Sequence, residues 1–155
     1  MNPNIEKEKL RILVTGGAGF IGSWLIKKLL DTTSSKIFNL DKLSYASDLT
    51  LINSSANISN HYLLNVDLRN KKELKTAIEI SNPDIIFHLA AESHVDRSID
   101  DSTPFIESNI VGTYNILEIA KDHWLNLNKV RREKFRFLHV STDEVFGSLG
   151  KKGKF

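Results

Sequence analysis

Residues 16–22 have a composition that could bind phosphate groups through the backbone. They read Gly-Gly-Ala-Gly-Phe-Ile-Gly and satisfy both G-x-G-x-x-G and G-x-x-G-x-x-G. This spacing is typical of a tight turn that a pyrophosphate can approach without an intervening Cβ, and that presents a helix N-terminus to the phosphates. The same glycines could also serve only to join a strand to a helix.

Asp41 adds a second feature of a dinucleotide site. It stands about 20 residues after the last glycine, where a carboxylate accepts hydrogen bonds from a ribose. Because that carboxylate would repel a 2′-phosphate, the pattern predicts NAD rather than NADP, although Asp41 could instead cap the segment that follows. Lys42 could face the adenine side or solvent. Asp67, after another apolar run, could accept a hydrogen bond from the adenine amino group or cap a turn.

A pair of adjacent carboxyl groups, Asp143 and Glu144, follows the last apolar run of the chain. In an ordinary loop such neighbours are solvated. Beside the crevice of a parallel sheet, two carboxyl groups with separated pKa values can serve as acid and base. Thr142, immediately before them, offers a hydroxyl that can orient a substrate hydroxyl.

Other reactive side chains in the sequence do not form a recognisable site. Ser93, His94 and Asp96 are too crowded for a hydrolase relay, since triad members usually arrive from separate loops, and G-x-S-x-G is absent. His88 and His94 lack metal-ligand spacing such as H-E-x-x-H, so no metal site is predicted.

The elements that must position these residues follow from the alternation of apolar runs with amphipathic stretches. Short apolar runs predict strands at residues 10–15, 36–40, 61–66, 84–89 and 135–140. Helical periodicity predicts helices over 19–30, 70–80 and 104–124, with a short helix within 44–60. The pattern indicates an α/β fold with a Rossmann-like, doubly wound parallel sheet in the order 3-2-1-4-5. The candidate residues then lie at the carboxyl ends of the strands.

The composition of the 155 residues excludes several classes of protein. The chain has no cysteine, which excludes a disulfide scaffold and favours the cytoplasm. A net charge of +2 and the absence of a long apolar run argue against nucleic-acid and membrane partners. We expect an N-terminal extension over 1–9, an NAD-binding domain over 10–150 and a basic tail over 151–155.

Several motifs together resemble the extended short-chain dehydrogenase/reductases, the NAD-dependent epimerase/dehydratase family. They lie at 16–22, 41–44, 89–99, 105–113 and 141–147, and the resemblance extends over residues 10–150. It implies a nucleotide-sugar dehydratase, a carbon–oxygen lyase, with dTDP-glucose as substrate and a homodimer in the full-length enzyme. The residues that it places around NAD are Gly16, Gly19, Phe20, Ile21, Gly22, Asp41, Lys42, Leu43, Ser44, Asp67, Leu68, Leu89, Ala90, Ala91 and Ser108.

The resemblance also implies a reaction in three steps. Hydride leaves C4 of the glucose for NAD, which makes the C5 proton acidic; water is then eliminated, and hydride returns to C6 to give a 4-keto-6-deoxy sugar. Glu144 is expected to take the C5 proton, while a protonated Asp143 gives a proton to the departing C6 hydroxyl. Thr142 and Ser93 are expected to hold the sugar hydroxyls.

One departure from the family pattern concerns its Tyr-x-x-x-Lys pair. The tyrosines are Tyr45, Tyr62 and Tyr114, and none has a lysine four residues later. We therefore expect a truncated chain that lacks the substrate lobe, is inactive alone and exposes apolar surface at an incomplete C-terminal side of the sheet. The alternatives are a stand-alone NAD-binding module without turnover, or a fragment of a related nucleotide-sugar epimerase or dehydratase.

Overall fold

Five parallel strands form one sheet in the computed structural model, which describes residues 9–94, 99–142, Val145 and Gly147. The order across the sheet is β3-β2-β1-β4-β5, so the predicted order is confirmed. The predicted basic tail, and all but the last residue of the predicted N-terminal extension, lie outside the described residues. The strands are β1 (Arg11–Thr15), β2 (Lys36–Asp41), β3 (His61–Asn65), β4 (Ile85–His88) and β5 (Arg136–His139).

The helices between the strands agree in part with the prediction. The predicted long helix over 104–124 contains a π-helical segment instead of regular α-helix throughout, and a further helix precedes β5 where none was predicted. In the described ranges, no helix has the length and apolar character needed to cross a membrane. The helices are α1 (Phe20–Thr32), α2 (Thr50–Asn53), a 3₁₀ turn (Ile58–Asn60), α3 (Lys71–Ser81), α4 (Thr103–Phe105), the π-helical segment (Ile106–Gly112), α5 (Thr113–Asn126) and α6 (Lys129–Lys134).

The core has two apolar clusters, one on each face of the sheet, because successive side chains of a strand point to opposite faces. Leu13 of β1 joins the cluster formed with α3 and α5, whereas Ile12 and Val14 join the cluster formed with α1 and α2. The sequence of α3 predicts that Leu74, Ala77 and Ile78 face inward, and all three are buried. Covered on both faces, β1 holds its C-terminal turn rigidly between β2 and β4.

The spacing of apolar residues in the long helix predicts an inward face that includes Ile116, Leu117, Ala120 and Trp124, and this prediction is partly wrong. Ile116 and Ala120 are buried as expected, but Leu117 and Trp124 are 46% and 38% exposed. They border a cleft of about 290 Å³ together with Phe135 and other residues beside β5. In the part of the chain that the structure describes, β5 pairs only with β4. Apolar surface is therefore exposed at this side of the sheet, as the sequence predicted.

A carboxylate at the amino end of the sheet explains why α6 forms. Asp84 accepts hydrogen bonds from the Arg11 backbone N at 2.9 Å and from the Arg131 Nε at 2.8 Å. Arg131 also donates to the side chain and the backbone carbonyl of Asn82. Asn128 caps the helix by accepting from the Arg131 backbone N. Helix α6 is thus held by side-chain contacts rather than by an apolar stripe.

Candidate functional site

The glycine turn joins β1 to α1 at the carboxyl end of the sheet, between the ends of β2 and β4. Gly16 has a φ of 69° and donates from its backbone N to the Leu40 carbonyl at 2.9 Å. A Cβ at Gly16 would lie 2.7 Å from the Ala90 Cα. Both the backbone conformation and this close approach require glycine.

The remaining glycines of the turn divide into packed and open positions. A Cβ at Gly22 would lie 2.2 Å from the Gly16 carbonyl oxygen, and one at Gly17 would lie 2.1 Å from the Asn39 Oδ1. A Cβ at Gly19 would meet only the Gly16 oxygen, at 3.3 Å, and otherwise open space. Gly22 and Gly17 are therefore needed for packing, whereas Gly19 leaves a surface free for a ligand.

The N-terminus of α1 carries no side-chain cap and no acidic residue in its first turn. Ser23 donates its backbone N–H to the Gly19 carbonyl at 2.9 Å. The preceding N–H groups are those that a helix cannot bond internally, and with the helix dipole they attract anions. Phe20 and Ile21 are 83% and 63% exposed beside this end. The helical spacing of Ile21 with Leu25 and Ile26 predicts that Ile21 faces the core, and this prediction is wrong.

Asp41 lies at the end of β2 and is buried against the glycine turn. Its carboxylate accepts hydrogen bonds from the backbone N of Ala18 at 3.0 Å and of Leu43 at 2.8 Å, and from the Ser47 hydroxyl at 3.2 Å. Asp41 therefore caps the segment that follows it, as the alternative interpretation predicted. Because a carboxylate offers about four acceptor positions, one remains for a further donor such as a ribose hydroxyl.

The loops after β2 and β4 approach each other beyond the glycine turn. Lys42 Nζ lies 2.5 Å from Glu92 Oε1. The sequence suggested the adenine side or solvent for Lys42, whereas the structure shows an ion pair with a carboxylate. The Asn109 side chain holds the backbone of Glu92 at both ends: Oδ1 accepts from its N–H at 2.8 Å, and Nδ2 donates to its carbonyl at 2.9 Å. Nothing in the local sequence pairs these residues, so the motifs alone do not indicate a role for Glu92 or Asn109.

A second group of charges lies after β3. Arg69 forms hydrogen bonds with both carboxylate oxygens of Asp67 and also pairs with Glu107. Burial raises the pKa of Asp67, but the hydrogen bonds and charge of Arg69 outweigh it and keep that pKa below its usual range. Asp67 also accepts from the Arg69 backbone N, so it caps a turn as the alternative proposed. These residues border a cavity of about 470 Å³ with Asn70 and Val111.

Three of the residues expected around NAD differ in how they could contact a ligand. Leu68 is buried in the core, close to Gly112, and could present only its backbone. Ser108 belongs to the π-helical segment, one residue from Glu107. Ala90 donates from its backbone N to the Thr15 hydroxyl at 3.3 Å. The other expected residues, Leu43, Ser44, Leu89 and Ala91, lie in the loops after β2 and β4.

His88 is a core residue whose two ring nitrogens each face a threonine hydroxyl. It is fully buried, with Nδ1 2.7 Å from the Thr15 hydroxyl and Nε2 3.0 Å from the Thr113 hydroxyl. Burial, with a smaller contribution from His139, lowers the pKa of His88 to about 4. Among the described residues, no three His, Asp or Glu side chains form a group that could hold a metal ion.

The residues expected to act on the substrate follow β4 and β5. Ser93 and Thr142 are exposed after these two strands, which are paired in parallel with His88 opposite His139. The carboxyl ends of neighbouring parallel strands meet at one edge, so both hydroxyls belong to the same side of the sheet. Asp143 and Glu144 lie outside the described residues.

Comparison with known proteins identifies relatives over nearly the whole chain. The GDP-mannose 4,6 dehydratase family matches residues 13–154. The chain is 46% identical over 146 residues to a probable dTDP-glucose 4,6-dehydratase from Sinorhizobium fredii, a match that covers 94% of the chain and 41% of that protein.

Solved structures agree with this result. The dTDP-glucose 4,6-dehydratase from Bacillus anthracis, in complex with NAD, has a TM-score of 0.74 and 36% identity, covering 93% of this chain and 41% of that one. DesIV, a dTDP-glucose 4,6-dehydratase from Streptomyces venezuelae with NAD and TYD bound, has a TM-score of 0.76 and 36% identity, covering 92% and 42%. The chain thus spans about two fifths of the length of these relatives.

Proposed function

The chain belongs to the GDP-mannose 4,6 dehydratase family, and from that premise we propose that it is the NAD-binding part of a dTDP-glucose 4,6-dehydratase. The observation that carries the proposal is the glycine turn, in which Gly19 leaves open space before an uncapped helix N-terminus. The named relatives of known structure contain NAD, which supports the choice of cofactor.

The residues present fit a dinucleotide along the carboxyl edge of the sheet. The N-terminus of α1 suits the pyrophosphate, and the free acceptor position of Asp41 suits a ribose hydroxyl. Asp67 borders a cavity large enough for a purine, and it would accept from the amino group of that base by exchanging one of the four hydrogen bonds that it receives from Arg69. Bound NAD supplies a reversible hydride acceptor, which these side chains lack.

In the full-length enzyme, we propose that Thr142 and Ser93 position the sugar while Asp143 and Glu144 move protons. Glu144 takes the C5 proton, and Asp143 gives a proton to the leaving C6 hydroxyl. The pairing of β4 with β5 supports a shared site for the two hydroxyls. Asp143 and Glu144 directly follow Thr142 in the sequence, which supports assigning them to the same site.

The proposal extends to a cytoplasmic enzyme that forms a homodimer at full length. The absence of cysteine suits a reducing compartment. Ile110, Tyr114 and Leu117 are exposed at spacings of four and three residues, so they form one apolar stripe on the helical segment before β5. Such a stripe is suited to pack against the same helix of a second copy.

NAD binding by this chain is the direct test of the cofactor assignment. At a concentration of about 100 times the Kd, NAD should stabilise the fold by about 2.7 kcal/mol and raise the melting temperature by several degrees. NADP should produce a smaller rise, because its 2′-phosphate approaches Asp41. In Asp41→Asn, which retains an acceptor for the turn, the difference between the two cofactors should narrow. A melting temperature that NAD leaves unchanged would contradict the assignment.

The acid and base roles are tested in the full-length enzyme. Asp143→Asn should slow the elimination of water at least 100-fold, because general acid catalysis typically contributes that much. Transfer of hydride from C4 should remain measurable as transient NADH absorbance in a single turnover. Glu144→Gln should also block elimination, and exchange of the C5 proton with solvent should cease. Equal loss of hydride transfer and elimination in Asp143→Asn would refute its role as acid.

A further inference from the structure

Two side-chain contacts join the loop after β2 to the loop after β4. Lys42 Nζ and Glu92 Oε1 are 2.5 Å apart, and the rings of Tyr45 and His94 are tilted against each other with centroids 5.9 Å apart. The partners in each contact are about 50 residues apart in sequence. These contacts therefore connect two separate parts of the carboxyl edge.

The position of β1 determines what lies between the two loops. In the sheet, β1 separates β2 from β4. Its glycine turn is fixed to both neighbours, since Gly16 donates to the Leu40 carbonyl and packs against the Ala90 backbone. A bridge from the residue after β2 to a residue beyond Ala90 must therefore cross the carboxyl end of β1, where the glycine turn begins.

Each end of this bridge is held by its own set of hydrogen bonds. Asn109 holds both backbone groups of Glu92 from the π-helical segment, whose wider turn is a feature often found at functional sites. On the other side, the Asp41 carboxylate accepts from the backbone N of Leu43, which adopts a left-handed φ of 54°. Because both loops are fixed in this way, the ion pair needs little further ordering to form.

We propose that the Lys42–Glu92 ion pair is a strap across the cofactor groove, and that Asn109 is a positioning residue for it. The inference rests on the proposed binding of NAD. A dinucleotide that extends from the β3 side to the β5 side passes the glycine turn, and the strap crosses at that place. Release of the cofactor then requires the ion pair to break, so the strap lengthens the residence time of the bound dinucleotide.

The rate of NADH release tests this proposal. The chain is loaded with NADH, excess NAD is added as competitor, and the decay of NADH fluorescence gives the dissociation rate constant. Lys42→Met and Glu92→Gln should each raise that constant about fivefold to tenfold, and Asn109→Ala should raise it in the same direction. The exchanged pair Lys42→Glu with Glu92→Lys should return the constant to within about twofold of the parent value.

A matched control is available on α1. Lys27 pairs with Asp31 at 2.9 Å, and these side chains are 25% and 32% exposed, compared with 35% and 20% for Lys42 and Glu92. Lys27→Met removes a similar ion pair away from the groove, so it should leave the dissociation rate constant unchanged. Circular dichroism melting of every variant establishes that the compared chains are folded.

The possible outcomes separate the strap from the proposed function. If Lys42→Met speeds release while Glu92→Gln slows it, Lys42 binds the cofactor directly in competition with Glu92, and the strap is refuted. Unchanged release in both variants, with normal NADH binding by the parent, refutes the strap alone. Failure of the parent chain to bind NADH refutes the proposed cofactor site and the strap with it.

Discussion

Replacing Gly22 with alanine should lower the melting temperature of the chain by about 10 °C. The new Cβ would lie 2.2 Å from the Gly16 carbonyl oxygen and 2.7 Å from the Gly17 Cα. Both atoms belong to the backbone, so relief requires the turn to move away from α1. Overpacking of this kind costs about 3 kcal/mol, and in a domain of this size each kcal/mol lowers the melting temperature by about 2–4 °C. Thermal unfolding followed by circular dichroism measures the change.

Gly19→Ala is the matched variant, with the opposite expected result. Gly19 has ordinary extended dihedral angles, φ −78° and ψ 174°, and its Cβ would meet only the Gly16 oxygen at 3.3 Å. The melting temperature should therefore stay within about 2 °C of the parent value. The affinity for NADH, measured by fluorescence titration, should fall at least tenfold, because the methyl group occupies the approach of the pyrophosphate. Normal affinity in Gly19→Ala would show that the phosphates lie elsewhere.

Stability should decrease between pH 7 and pH 5 because of one buried histidine. Burial and the nearby His139 lower the pKa of His88 to about 4, whereas an unfolded histidine titrates near 6.5. Over this interval the unfolded chain binds a proton that the folded chain does not, so acid favours unfolding. The free energy of unfolding should fall by about 2 kcal/mol by pH 5 and by about 3 kcal/mol near pH 4. Urea unfolding at a series of pH values gives this profile.

Two histidine variants show which residue causes the loss of stability between pH 7 and pH 5. Burial also lowers the pKa of His61, so it adds to the slope in the same direction. His88→Gln keeps a polar side chain between Thr15 and Thr113 and should flatten most of the profile between pH 7 and pH 5. His61→Gln should flatten it less. The carboxylates with lowered pKa values, including Asp67, lose their contribution only below about pH 4 and leave this window clear. A steep profile that persists in His88→Gln would contradict the assignment.

The sequence predicted the sheet well because its order depends on strong, local patterns. Short apolar runs separated by amphipathic helices permit few topologies, and the glycine turn marks the strand that lies at the centre. Asn70, before a helical stretch, is a residue type that favours the N-cap, and its Oδ1 accepts from the Glu73 backbone N. These features depend on residues close together in the chain, so the spacing of residue types in the sequence is enough to predict them.

The features that the sequence did not reveal depend on partners far apart in the chain. Helix α6 is mostly basic and has no apolar period, and its docking depends on Arg131 meeting Asp84, 47 residues earlier. Glu92 and Asn109 belong to the site through Lys42 and through backbone contacts that no motif encodes. The sequence suggested Asp67 as a ligand for adenine, but the pairing of its neighbour Arg69 with Glu107, 38 residues later, requires the fold.

The hydrogen bonds of Asp41 limit how this protein could be redesigned for another cofactor. Engineers who seek NADP-dependent enzymes commonly replace the acidic residue that faces the ribose. Asp41, to which we assign that role, carries three hydrogen bonds that hold the glycine turn and the following loop. A change of preference would therefore need a substitute that satisfies Ala18, Leu43 and Ser47 while it accommodates a phosphate. Natural selection faces the same restriction. A substitution at Asp41 that changes the proposed cofactor preference also removes hydrogen bonds that stabilise the turn.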